Sequence, residues 1–170
     1  LLAEIYVDRD TFIDKVSIGV DYLNELCGEN YNLALTKLGK LYLSGKHLEI
    51  NYEKAFKLFE KACKLEQVEG YYYFGIMHAL SYYVEVNYEI AFEYINKAAK
   101  KSFVPAIRDL GLMYQYGIGI PKDISKAKKY FDKASKLGDD YSKEWKDHTK
   151  KFLKKIRIIN NCIYDENNVD

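Results

Sequence analysis

The chain has 170 residues, enough for one domain or one short repeat array, and its 48% hydrophobic and 30% charged content is that of an ordinary folded protein. Its 26 Lys and Arg nearly cancel its 25 Asp and Glu, which excludes a globally basic nucleic-acid-binding chain. Cys27, Cys63 and Cys162 are odd in number and at no metal-like spacing, which argues against a disulfide framework or zinc site and mildly favours a reducing compartment.

Residues 1–29 read as a worn, partial repeat. Leu2, Ala3 and Tyr6 stand 36 residues before Leu38, Gly39 and Tyr42. Gly19, Leu23, Leu26 and Cys27 stand 36 before Ala55, Phe59, Ala62 and Cys63. The chain opens at Leu1 rather than methionine, so its native start is expected upstream.

Residues 30–66 form the first complete repeat, with two predicted helices. The first carries Ala34, Leu38, Tyr42 and Gly45, and the second carries Tyr52, Ala55, Phe56, Phe59, Ala62 and Cys63. Both sets have the three-to-four spacing of an amphipathic helix. Residues 67–102 and 103–140 repeat the plan at a step of 36. Gly39, Gly75 and Gly111 are in register, as are Ala55, Ala91 and Ala127, and Ala62, Ala98 and Ala134. Recurrent small residues at these places predict close helix crossings, because a glycine inside a helix costs ~0.5–1 kcal/mol relative to alanine and needs a compensating reason. Asn51, Asn87 and Asp123 precede the second helices as N-caps. Lysines at 61, 64, 97, 100, 133 and 136 gather at the other ends, matching the helix dipole.

Residues 141–163 leave this register. Trp145, Thr149, Phe152, Ile156, Ile159 and Ile163 step by alternating fours and threes, the pattern of one amphipathic helix that would cap the hydrophobic end of a repeat array. Its other face, between 143 and 157, is basic, which would let it contact an anionic surface. Residues 164–170 read as a polar tail. No apolar run approaches the ~18 residues of a membrane span.

The stretch Ala106, Leu110-Gly111, Tyr114, Gly117-Ile118-Gly119, Asp123, Lys126-Ala127, Tyr130-Phe131, Lys133-Ala134 and Gly138 resembles the Sel-like repeat family, a relative of the tetratricopeptide repeat. The 31–66 copy resembles it through Ala34, Leu38-Gly39, Tyr42, Gly45, Lys54-Ala55 and Lys61-Ala62. The 70–101 copy departs from the pattern: His78 stands for the tyrosine, Ser81 for the loop glycine, and the segment Tyr82–Val86 has no glycine. The resemblance implies an all-α fold, a right-handed α-α superhelix of 36-residue helix pairs. It also implies the work of an adaptor that binds a protein or peptide partner, or a second copy of the chain, in its concave groove. The first helix of each pair would line that groove, at Thr36, Lys40 and Leu43, then Tyr72 and Ile76, then Arg108, Leu112 and Tyr116, with Ser44, Ala79, Leu80 and Gln115 beside them. Aromatic and arginine anchors among aliphatics are what binding hot spots use.

Nothing in the sequence argues for catalysis or a cofactor. His47, His78 and His148 are in no zinc-ligand spacing, and Gly117-Ile118-Gly119 lacks the strand and the Lys-Ser/Thr of a phosphate loop. Two alternatives stand beside the scaffold reading. One is an accessory domain of a larger enzyme. The other is an enzyme of the family's cysteine-rich branch, linked to β-lactam binding, whose paired cysteines this chain lacks: Tyr71 and Tyr72 stand where a partner for Cys63 would lie.

Overall fold

The structure is a computed structural model that describes residues 13–28, 32–45 and 48–146. The partial repeat before residue 13, His47 and His148, Cys162 and most of the expected capping helix lie outside them. The described residues are all-α and divide into two compact units, Leu1–Phe103 and Val104–Asp170.

The first unit holds five helices: α1 (Ile13–Gly28), α2 (Asn32–Ser44), α3 (Tyr52–Lys64), α4 (Val68–Ala79) and α5 (Tyr88–Lys100). Each packs on its sequence neighbour across a short connection. The side chains of Val20, Leu23, Ala34, Leu35, Leu38, Leu41 and Ala62 make one buried cluster, and Ala55, Phe59 and Met77 make another. Helix α4 is apolar on nearly every side because α3 and α5 cover it from both. Its rings interleave with theirs: Phe59 stacks on Tyr73 at 5.1 Å, and Phe74 meets Phe56 at 5.1 Å and Tyr94 at 4.6 Å.

The second unit holds α6 (Val104–Tyr116) and α7 (Ile124–Lys136), followed by a helix that begins at 140 and is described through 146. Its core is Ala106, Ile107, Leu110, Met113, Ala127, Phe131 and Ala134. Trp145 packs on Phe131 at a ring distance of 4.2 Å, so the first turns of that last helix cover the end of the third pair.

The small residues are where the helices touch. A Cβ at Gly39 would stand 2.6 Å from the Phe59 ring, and one at Gly111 would stand 2.8 Å from the Phe131 ring. A Cβ at Gly75 would meet Ile95 Cγ1 at 2.9 Å and the Ala91 carbonyl at 3.0 Å. Gly70, outside the register-matched glycine series, does the same between α3 and α4, where a Cβ would lie 2.6 Å from Ala62 Cβ.

The ends of the second helices repeat as strictly as their middles. The side chains of Asn51, Asn87 and Asp123 accept from the amides of Lys54, Ile90 and Lys126, each at 2.9 Å. The N-cap amides in turn donate back to the carbonyls of Tyr42, His78 and Tyr114, which ties the two helices of each pair together. At the C-termini, the amides of Gln67, Phe103 and Asp139 reach the carbonyls of Ala62, Ala98 and Ala134. This closure needs a left-handed residue one position earlier. Gly138 supplies it without cost, whereas Glu66 and Ser102 adopt it at φ 54° and 63°.

Candidate protein-binding face

The eight residues expected on the first helices fall into two sets, one in each unit. In the first unit, Thr36 and Tyr72 do not stand open as the sequence suggests. Thr36 is 2% exposed and its hydroxyl donates to the Leu33 carbonyl. Tyr72 is 9% exposed, its ring set against Tyr73 at 5.1 Å and Phe103 at 5.2 Å. A threonine can bury by bonding its own helix, and a tyrosine by finding neighbouring rings; helical spacing alone did not distinguish either from a surface residue.

Lys40 is half-buried. Its Nζ lies 3.5 Å from Glu69 Oε2 and 5.5 Å from the centre of the Tyr73 ring, so it links α2 to α4. Leu43 packs against the Ala55–Phe59–Met77 cluster with part of its side chain exposed, and Ile76 is also half-buried. In the second unit, the Arg108 guanidinium is held by two carboxylates, Nε to Asp109 at 3.0 Å and Nη1 to Asp139 at 3.4 Å. Asp139 also accepts from the amide and hydroxyl of Ser142, so Arg108 braces the start of the last helix. Leu112 is half-buried and Tyr116 is 64% exposed.

Tyr116 has a register-matched counterpart in Leu80, which is 54% exposed. Both stand at the C-terminal ends of first helices. After Leu80 the chain continues with exposed Tyr83, Val86 and Tyr88. This segment holds Ser81 and Tyr83 at φ 57° and 72°, where the third repeat has Gly117 and Gly119 at 73° and 68°. The loop therefore keeps its turn without glycine and shows large apolar side chains instead. The missing glycines were the sequence signal that this loop is unusual.

The residues with latent chemistry are packed. Burial pushes the Cys63 thiol up to about 12, so it stays protonated and a poor nucleophile at neutral pH. His78 fills the tyrosine position of its repeat, against Phe74 at 4.9 Å and Phe56 at 5.8 Å, and burial lowers its imidazole below the ordinary value. Among the described residues no group of three or more His, Cys, Asp or Glu could hold a metal, and no helix is long and apolar enough to cross a membrane.

Three segments, 32–66, 68–103 and 104–139, match the family model for the Sel1 repeat. No curated protein sequence matches the chain. Similar solved structures include a Sel1 repeat protein from Oxalobacter formigenes, with a TM-score of 0.67 at 23% identity over 73% of this chain and 51% of that one. Another is a protective antigen of uropathogenic Escherichia coli strains displaying an SLR fold, with a TM-score of 0.72 at 19% identity over 82% of this chain and 29% of that one. A third is cysteine-rich protein B of Helicobacter pylori, with a TM-score of 0.59 at 25% identity over 78% of this chain and 96% of that one. The chain spans about half the length of the first and under a third of the second. These likenesses show the fold, a solenoid of Sel1-like helix pairs.

Proposed function

The chain belongs to the Sel1 repeat family, whose members are in general protein–protein interaction scaffolds, and from that premise we propose that it binds a partner protein or peptide through the exposed side of its first helices. The single observation that carries this reading is the pair Leu80 and Tyr116. They lie 36 residues apart, at the same point of successive repeats, and each exposes more than half of a large side chain. Such side chains contribute little to the fold, and tyrosine is among the residues enriched at the centres of protein interfaces. In the first unit Lys40 and Leu43 stand on α2 and Ile76 on α4, the helix that Leu80 follows; in the second unit Arg108 and Leu112 stand on α6, which ends at Tyr116.

The test is affinity capture with the wild-type chain and with a Leu80→Ala, Tyr116→Ala variant, after the two are shown to melt alike. A protein recovered by the wild type and lost from the variant supports the reading and names the partner. Identical recovery would refute it. Sedimentation of both forms separates the case in which the partner is a second copy of the chain.

A further inference from the structure

Within the second unit, Tyr114, Lys126, Lys129, Tyr130 and Lys133 line an open hollow of about 310 Å³. Tyr114 and Tyr130 form one wall, stacked at 5.4 Å with their planes 11° apart. Lys126 lies over the Tyr114 ring at 5.2 Å, as Lys54 does over Tyr42 at 5.1 Å in the first repeat, and it also approaches Asp123 at 3.7 Å. What distinguishes the third repeat is the loss of its acids. In the first, Lys57 is paired with Glu53 at 2.6 Å; in the second, Lys97 is paired with Glu93 at 2.6 Å. At the matching places of the third repeat, Ser125 replaces Glu53 and Lys129 replaces Glu93. The one acid within α7, Asp132, is engaged by Lys146 at 3.0 Å. Among the described residues no carboxylate pairs with Lys129 or Lys133. Burial first and Tyr114 second raise the Tyr130 phenol above its ordinary range, so it stays protonated beside the lysines.

We propose that this hollow is a binding site for an extended acidic peptide segment of a partner protein, with carboxylates on Lys129 and Lys133 and an aromatic side chain against the Tyr114–Tyr130 wall. The aromatic wall favours a peptide over a single anion, which would leave the Tyr114–Tyr130 surface uncovered. Lys129 and Lys133 are separated by ~6 Å along the helix axis, close to the ~6.7 Å between alternate side chains of an extended chain. A flat lipid surface meets lysine tips but does not enter a hollow between rings. This is a second recognition surface, independent of the first-helix face, so either can fail without the other.

The probe is a fluorescein-labelled seven-residue peptide with glutamate at its second and fourth positions, phenylalanine at its sixth and serine elsewhere, titrated by anisotropy at low salt into the full chain. Saturable binding is expected. It should weaken about tenfold in Lys129→Gln, Lys133→Gln, the scale of losing two solvent-exposed ion pairs. It should be unchanged in Lys57→Gln, Lys61→Gln, the register-matched lysines of the first repeat. Equal binding by the Lys129–Lys133 variant, equal binding of a peptide with glutamine for glutamate, or no saturation would overturn the proposal. So would displacement by inorganic phosphate at the peptide's own concentration, which would make the hollow a simple anion site. Binding of phosphatidylserine vesicles without binding of the peptide would overturn it in favour of a membrane role.

Discussion

Replacing Gly75 with alanine tests the central packing claim, that first and second helices meet backbone to backbone. Two opposing effects must be weighed. Alanine favours the helix by about 1 kcal/mol over glycine. Against this, the added methyl would stand 3.0 Å from the Ala91 carbonyl oxygen and 3.2 Å from the Ile95 amide nitrogen. Neither atom can rotate aside, so α4 and α5 must separate by several tenths of an ångström. The separation loosens Ile95 and Ala98, both essentially fully buried. Overpacking of this kind costs about 1–3 kcal/mol, leaving Gly75→Ala about 1 kcal/mol less stable than wild type, within a range of about 0–2, after the helix gain is subtracted. Urea unfolding followed by circular dichroism measures this directly, as a lowered midpoint with an unchanged slope. A variant more stable than wild type, by about the 1 kcal/mol of the helix gain, would show that the helices do not touch at Gly75.

Ala91→Leu, at the opposite wall of that contact and 0% exposed, should cost about 1–3 kcal/mol by the same urea measurement; an unchanged midpoint would remove Ala91 from the crossing. Asn87→Ala deletes the cap on the Ile90 amide and should cost about 1 kcal/mol, whereas Asn87→Asp should restore most of it. The His78 imidazole is lowered in the folded state by burial, so the unfolded chain binds its proton more readily. The stability this gives the fold is complete above ~6.5 and is lost as the pH falls through the lowered folded value. Urea midpoints between pH 7.5 and 5 should therefore fall more steeply for wild type than for His78→Tyr, which restores the residue of the neighbouring repeats; parallel curves would contradict this.

The repeat, the caps and the crossings were legible in the sequence because each depends on a residue type at a fixed step. Glycine at 39, 75 and 111 has a local steric cause, and so do Asn51, Asn87 and Asp123 at the helix starts. The face was less legible. Helical spacing says which residues share a side of a helix but not whether a neighbour covers that side. Tyr72 is covered by Tyr73 and Phe103, and Arg108 is engaged by Asp109 and Asp139. Both partners of Arg108 are acids whose role the repeat pattern does not mark. The 81–86 loop shows the converse. Its left-handed residues could be anticipated from Gly117 and Gly119, but Ser81 and Tyr83 occupy them with side chains that usually avoid that region. The hollow on α7 is marked in the sequence only by lysines at 126, 129 and 133 that repeat 54, 57 and 61 and by the replacement of Glu53 and Glu93 with Ser125 and Lys129; the fold was needed to set them beside the Tyr114–Tyr130 wall.

The most direct measurement of the scaffold reading is amide hydrogen exchange on the free chain and on the chain bound to its captured partner. The account expects exchange to slow along the first helices and their ends, over 33–44, 69–80 and 105–116, with the largest change around Leu80 and Tyr116. Slowing confined to the second helices, over 52–64, 88–100 and 124–136, would contradict it.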